Sequence, residues 1–335
     1  MFKRIAVFAL LALALSAASA PAADGCKNRG LLDTQYCDEN QDLVADDAAA
    51  GKCSDPGTLV FTYTPVEDPA VYKDLFNEFQ EYLAKATGKK VVYFSVQSNA
   101  AEVEAMRSGR LHIAGFSTGP TCFAVNLSGY VPIAVKGYEN EFQGYNLIVV
   151  VKKDSPYQTL TDLKGKKLAH TSASSNSGNL APRALFPKLG LTPDVDYPVV
   201  YSGKHDQSVL GVAHGDYDAA AVASDVYERM VKGGRVEADA LRIIYRSAKF
   251  PTSSFGYWSN LCPDLVKKIR QAFLDFRYSE AMKKAFDGAD RFYPVTYQKD
   301  WAIIRDINEA IGVTYTEEGF RKEEEKEAAA KAKKP

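Results

Sequence analysis

The chain has 335 residues, 46% of them hydrophobic, with 41 Lys and Arg against 42 Asp and Glu and a formal net charge of −1. That length holds one large domain or two moderate ones, with enough apolar residues for a sizeable core. The even charge balance provides no basic stripe, so a nucleic-acid partner is not expected.

At the N-terminus, Lys3-Arg4 precedes an apolar run from Ile5 to Leu15 and then the small residues Ser16 to Ala23. Charged, apolar and small segments in that order form a secretory signal. The run is too short to cross a bilayer as a helix. Cleavage after Ala22 fits the small-residue rule, so residues 1–22 read as a signal peptide and the mature protein as soluble and exported. Lipidation at Cys26 is the alternative, against which Ala23-Asp24-Gly25 is a poor match. Five cysteines, Cys26, Cys37, Cys53, Cys122 and Cys262, allow disulfides in an oxidising compartment and leave at least one thiol over. Their pairing stays open.

Residues 23–57 read as a polar leader. Asp38-Glu-Asn-Gln-Asp42 and Asp46 have the oxygen-ligand spacing of a calcium loop, but Leu43 stands where the sharp-turn Gly belongs and Ala49 where the bidentate Glu belongs. A solvated acidic loop is therefore expected. The folded body opens at Thr58 with the strand-like Leu59 to Tyr63. Asp68-Pro69 starts a helix whose apolar residues, Val71 to Leu83, recur at helical spacing up to Gly88. Val91 to Phe94 and Leu111 to Phe116 read as strands around a helix from Ala100 to Arg107. Strands alternating with helices argue for an α/β fold with mainly parallel sheets.

Ser117-Thr-Gly-Pro-Thr-Cys122 follows the third strand and opens the next helix. Strands at 131–136 and 147–151 lead to a second hydroxyl-rich stretch, His170-Thr-Ser-Ala-Ser-Ser-Asn-Ser-Gly-Asn179, between a short strand and the helix 180–189. Helix starts carry unpartnered N–H groups and the positive end of the peptide dipoles, which suits phosphate, sulfate or carboxylate. One Ser or Asn suffices for capping, and this stretch has several. In open α/β sheets ligands sit off the carboxyl ends of strands. The two helix starts therefore predict one anion pocket approached from two sides. Strands at 197–201, 218–222 and 241–245 complete a second α/β set near 153–247. Phe250 to Trp258 crosses back, and helices over 264–277, 279–286 and 299–311 are expected to dock on the first unit. From Glu317 the Glu, Lys and Ala-rich end reads as an exposed charged helix or a disordered tail. Tyr145, His170, Trp258 and Trp301 read as packing residues.

Tyr63-Thr-Pro-Val-Glu-Asp-Pro69, Gly109-Arg-Leu-His-Ile-Ala114, Gly119-Pro120, Asp162-Leu-Lys-Gly165, the Ser/Asn/Gly stretch at 174–178 and Gly203-Lys-His-Asp206 occur in one order. Together they resemble the phosphonate, phosphite and phosphate-type periplasmic substrate-binding proteins of ABC importers, over about 58–312. The resemblance implies a type II two-lobed periplasmic binding fold, each lobe a mainly parallel sheet flanked by helices, with the ligand in the cleft. Lobe 1 would comprise 58–150 plus 251–313, lobe 2 would be 151–250, and 314–335 would be the charged tail. It implies a monomer in the periplasm that captures a small oxyanion, performs no chemistry on it, needs no cofactor or metal, and delivers to an ABC permease in the inner membrane.

Carried over by position, Thr118, Gly119, Thr121 and Cys122 would bind from the first lobe, and Ser174, Ser175, Asn176, Ser177 and Gly178 from the second. Tyr63 would line the wall, His205 and Asp206 would stand at a helix start near the pocket, and Asp225 would receive a ligand amine. Protonated His205 would add positive charge. Cys122 departs from the family pattern. A thiol at a helix start is expected to be acidified and reactive, and a soft ligand suits trivalent arsenic. That supports an alternative, a periplasmic arsenite sensor signalling to a membrane histidine kinase. A third reading makes Cys122 a nucleophile and His205 its base, and a fourth makes Cys122 a small buried packing residue.

Overall fold

The computed structural model describes residues 25–64, 66, 72 and 74–332. The signal-peptide reading of 1–22 and the helix start at Asp68-Pro69 lie outside the described residues. Among the described residues no helix is long and apolar enough to cross a membrane.

Two sheets form two lobes. In lobe 1, β1 (Thr58–Tyr63) runs parallel to β2 (Lys90–Tyr93) and to β3 (Ile113–Phe116), with α1 (Asn77–Thr87) and α2 (Asn99–Arg107) as connections. Next come α3 (Thr118–Ser128) and β4 (Tyr130–Gly137). The chain then crosses to lobe 2 through β5 (Gly144–Lys152), β6 (Leu168–His170), a π-turn at Asn176–Leu180, α4 (Ala181–Leu185) and β7 (Val199–Tyr201). Lobe 2 continues with α5 (His205–His214), β8 (Ala219–Ala223), α6 (Ser224–Lys232) and β9 (Leu241–Pro251). It returns through β10 (Ser254–Trp258) to α7 (Pro263–Asp275), α8 (Glu280–Ala285) and β11 (Arg291–Pro294). The strand orders are β11-β4-β10-β3-β1-β2 and β7-β6-β8-β5-β9.

Both sheets are mixed, which corrects the expectation of mainly parallel ones. The strands that carry the chain between lobes, β5 and β10, run antiparallel to their neighbours. A strand that returns from the other lobe enters its sheet from the cleft side, so it opposes the strands that end there. The four-residue β11 also joins the edge of lobe 1 antiparallel to β4, where only helices were expected.

Different side chains fill the two cores. Lobe 1 stacks rings: Phe79, Phe255 and Phe273 each pack on Phe292, with centroids 4.7–4.9 Å apart, in the edge-on or tilted arrangements aromatic rings prefer. Lobe 2 uses Leu147 to Val151 of β5 against the all-alanine-and-valine β8, all fully or nearly fully buried. Small residues on β8 let α5 and the π-turn approach the sheet closely.

The leader folds onto lobe 1 rather than standing apart. Disulfides join Cys26 to Cys37 and Cys53 to Cys262, and Leu32, Tyr36, Val44 and Ala45 are buried. A sulfur shared with Cys37 leaves Cys26 no thioether to make with a lipid. In the acidic loop, Asp38 accepts the N–H groups of Asp42 and Leu43 at 2.9 and 3.0 Å, and Asp46 accepts that of Glu39 at 2.8 Å. Backbone donors take up these oxygens, which fits the acidic-loop reading.

After β11 the chain does not stay on lobe 1. The fully buried Trp301 lies between the short α9 (Tyr297–Asp300) and α10 (Ala302–Ala310), and α10 packs on both α3 and α4. The charged end forms α11 (Glu317–Ala332), with Phe320 buried against Phe123 and the helix lying along β7.

His170 is fully buried at the end of β6, its ring nitrogens 2.9 Å from Asn179 Oδ1 and 2.9 Å from the Tyr197 hydroxyl. Burial is the main cause that pushes it down to about 4. Its ordinary value in an unfolded chain is ~6.5, so protonation favours the unfolded state. The contribution is complete above that value and is lost as pH falls toward 4. Between pH 7 and 4.5 the loss should be on the order of 2–3 kcal/mol. Denaturant titrations at the two pH values should show a smaller pH-dependent loss in His170→Gln. An equal loss in wild type and variant would place the acid sensitivity elsewhere.

Candidate functional site

Strand ends and helix starts of both lobes converge on one cavity of about 50 Å³. A single water needs roughly 10–15 Å³, so the space suits a group of a few heavy atoms. Lobe 1 contributes Tyr63 from the end of β1, Asn99 from the start of α2, and Ser117 and Thr118 from the start of α3. Lobe 2 contributes Thr171, Ser172 and Ser175 to Ser177 after β6, Gly203 to His205 before α5, and Ala223, Asp225 and Val226 at the start of α6. Tyr145, Thr252 and Ser253, on or next to the crossing strands, close the hinge side.

Each helix start leaves N–H groups that its own helix cannot satisfy. At α3, Thr118 Oγ1 donates to the Pro251 carbonyl at 2.9 Å, and Trp301 Nε1 donates to the Thr118 carbonyl at 3.0 Å, which fixes the first turn from behind. In lobe 2, Ser175 caps the π-turn by accepting the Gly178 N–H at 3.1 Å. The wide turn, of a type often found at functional sites, holds Asn176 and Ser177 toward the cavity. Ala223 N–H donates to His205 Nδ1 at 3.1 Å. That fixes Nδ1 as the acceptor, so Nε2 carries the hydrogen and faces Ser175 Oγ at 3.4 Å. His205 is thus placed as a neutral donor, and the expected protonated ring would forfeit the Ala223 bond.

Three buried oxygens on the cavity wall have no protein partner: Thr171 Oγ1, Asn176 Oδ1 and Thr252 Oγ1. Buried polar atoms are nearly always paired, so three around one cavity mark a place for a polar guest. The Tyr145 hydroxyl accepts from Asn176 Nδ2 at 3.0 Å, and burial pushes it up to about 12, so it is a neutral phenol.

The lobes touch around the cavity. Asn99 Nδ2 reaches Ser172 Oγ at 3.4 Å and Ser174 Oγ at 3.3 Å across the cleft. A Cβ on Gly119 would stand 2.1 Å from the Ser174 carbonyl oxygen and 2.9 Å from the Asn176 nitrogen. Glycine is required there because the two helix starts meet at that point. Outside the cavity, a larger vestibule is bordered by Gln97 to Ala100, Ser172 to Ser174 and Lys204, and α11 forms its remaining wall with Phe320, Arg321 and Glu323 to Glu325.

Of the residues read from sequence, Tyr63, Thr118, Ser175, Asn176, Ser177, His205 and Asp225 line the cavity. Ser174 faces the vestibule, Gly119 makes the contact between lobes, and Gly178 lies beneath Thr171. Thr121 bonds the Ser117 carbonyl and Ser254 Oγ behind the site. Asp206 is turned away and held by Arg235 at 3.0 Å. Asn99, Tyr145, Thr171, Ser172, Lys204 and Thr252 were not named as site residues; the hydroxyl-rich run containing 171 and 172 and the Gly203-Lys-His-Asp206 motif were the signals that pointed to any of them.

Cys122 is also displaced from its expected role. It is the free cysteine among the described residues, fully buried and absent from the cavity lining, and burial pushes its thiol up to about 11. The helix-start field that would acidify it is outweighed by desolvation. A lone protonated thiol behind the wall, with the other four cysteines in disulfides, provides neither an arsenic site nor a nucleophile for His205.

A family model described as "ABC transporter, phosphonate, periplasmic substrate-binding protein" matches residues 61–301. The chain is 27% identical over 263 residues to the phosphate-import protein PhnD of Mycolicibacterium smegmatis, covering 74% of this chain and 81% of that one. It is 23% identical to the phosphonates-binding periplasmic protein of Escherichia coli, covering 65% of this chain and 66% of that one. In fold it is similar to Prochlorococcus marinus PhnD1 in complex with methylphosphonate, with a TM-score of 0.68, 20% identity, and coverage of 77% of this chain and 99% of that one.

Two substitutions test this geometry. Gly119→Ala should leave a folded protein that cannot close fully. Overpacking of about 1–3 kcal/mol corresponds to roughly 5- to 150-fold weaker ligand binding, and unaltered affinity would mean the lobes do not meet there. Native Cys122 should resist a thiol reagent until the protein is unfolded, and Cys122→Ser should keep ligand affinity. Rapid labelling of the native protein would contradict the buried placement.

Proposed function

Because this chain belongs to the periplasmic phosphonate substrate-binding family of ABC transporters, we propose that its cavity captures a small phosphorus oxyanion, a phosphonate, phosphite or phosphate, for delivery to an inner-membrane permease. The family is one of transport binding proteins rather than enzymes, and the protein is periplasmic. It acts as a monomer that closes on its ligand and leaves it unchanged.

The observation that carries this reading is the set of unpartnered oxygens at Thr171, Asn176 and Thr252, ringed by helix starts from both lobes. A tetrahedral oxyanion presents acceptors in several directions, matching donors that arrive from several helices. Ser175, Ser177 and neutral His205 supply O–H and N–H groups, and the N–H groups of the α3 start and the π-turn supply more. Asn176 Oδ1 suits an acidic hydrogen on a monoprotonated ligand. Lys204 on the wall adds positive charge. Neutral donors in a closed site hold an anion well because they need no reorganisation and are shielded from water.

Calorimetric titration with phosphate, phosphite, methylphosphonate, sulfate and arsenite tests the proposal. Submicromolar binding of at least one phosphorus oxyanion is expected, with no turnover. Replacing Ser175 and Ser177 together by Ala should weaken it by about 1–3 kcal/mol for each lost buried partner. Failure of every phosphorus compound to bind, or binding of arsenite alone, would refute it.

A further inference from the structure

Two spaces of very different size meet at the mouth of the cleft. The cavity between the lobes has about 50 Å³, and the vestibule outside it about 630 Å³. Among the described residues, Asn99, Ser172, Gly203 and Lys204 border both. A phosphorus group fits the cavity, and the vestibule has room for a long substituent. What stands between the two spaces therefore decides whether a ligand can use them together.

Of the four shared residues, Asn99 forms the fixed part of that partition. Gly203 has no side chain, Ser172 has a short one, and Lys204 ends in a flexible four-carbon stem that can swing aside. Asn99 is the first residue of α2, and Ser98 before it accepts the Ala101 N–H at 3.1 Å as the helix cap. The Asn99 amide is thus not needed as a cap and is engaged on both sides of the cleft instead. Its Oδ1 accepts from Thr64 Oγ1 at 3.1 Å and from Ser117 Oγ at 3.4 Å, both in lobe 1. Its Nδ2 donates to Ser172 Oγ at 3.4 Å and to Ser174 Oγ at 3.3 Å, both in lobe 2. Two acceptor directions and two donor hydrogens are the whole capacity of a side-chain amide. Thr64 is fully buried and its N–H donates to the Gly115 carbonyl at 2.8 Å, which fixes the lobe 1 end. The bonds to lobe 2 are long and individually weak, and they exist only when the lobes are close. The planar amide is then a bar across the cleft. A substituent reaching past it would displace the amide or hold the lobes apart, and overfilling a packed contact is unfavourable.

We propose that Asn99 is a specificity-determining residue: its amide closes the way from the cavity to the vestibule and so limits the bound phosphorus oxyanion to a short substituent. The assignment rests on the oxyanion reading of the site and adds to it an upper limit on ligand length, set by one side chain.

The experiment keeps the head of the ligand constant and lengthens its tail. Calorimetry on the full mature chain uses phosphite and then methyl-, ethyl-, propyl- and butylphosphonate, with phosphate as the reference. In wild type the affinity should fall at least about tenfold from the tightest member of the series to butylphosphonate. In Asn99→Ala, which opens the passage, that fall should shrink by about fivefold or more. The ratio is the readout because a merely structural loss would weaken every member alike. If Asn99→Ala does not fold, Ser172→Ala combined with Ser174→Ala, which frees the bar from lobe 2, takes its place and should move the ratio the same way. Uniform affinity along the series in wild type overturns the proposal. So does a fall of equal size in wild type and variant, or butylphosphonate undetected in both while phosphate binds, since the limit then lies elsewhere on the wall. Failure of wild type to bind any phosphorus oxyanion is a different result: it removes the oxyanion reading, and this assignment with it.

Discussion

Helix starts that face one cavity without partners of their own are the constraint around which this molecule is arranged. An unsatisfied buried donor or acceptor costs about 1–3 kcal/mol, and here several are collected on one small wall. The fold tolerates them because each is held from behind. Trp301 grips the Thr118 carbonyl, Ser175 caps the π-turn, and the Ala223 N–H sets the tautomer of His205. The two sheets bring their strand ends to the same place, so the donors come from opposite lobes. A guest with acceptors in several directions satisfies them together.

Closure of the lobes is part of the same arrangement. Gly119 has no side chain because the Ser174 carbonyl occupies that space. Asn99 reaches Ser172 and Ser174, and Lys136 reaches Asp225, each across the cleft. Each of these contacts is small, and each requires the lobes to be close. A ligand that completes the donors of both lobes shifts the equilibrium toward the state in which these contacts exist, by the difference in its affinity for the two states.

Much of this was legible in the sequence. The hydroxyl-rich stretch at 170–179 stood out because its density of Ser and Thr exceeds what capping needs, and the alternation of strands and helices identified the α/β class. The family resemblance supplied two lobes. Other features left no mark. Asn99 follows Ser98, which serves as the cap and made that helix start look ordinary. Tyr145 and Thr252 belong to the crossing segments, whose sequences look like any strand end. Cys122 had several readings open, because proximity to a helix start says nothing about which face of the helix a side chain is on; its face is the buried one, which fits the packing reading and not the ligand or nucleophile ones. The antiparallel strands were missed because a strand's direction depends on where the chain arrives from. At the C-terminal end, Phe320 is a lone apolar residue in a charged run, yet it anchors α11 beside the vestibule.

The strand order of lobe 1 has a consequence for how the chain is assembled. β3 and β4 are consecutive strands of that lobe, but they do not pair; β10 lies between them. Lobe 2 is an uninterrupted stretch from β5 to β9, so all its strands are in hand before β10 exists. A chain threaded out N-terminus first can therefore complete the second lobe while the first still has a gap in the middle of its sheet. Cys53 waits in the same way, since its partner lies 209 residues further on. Until then the lobe whose strands leave first carries an open strand edge and a free thiol, and the segment that fills the one arrives with the cysteine that consumes the other.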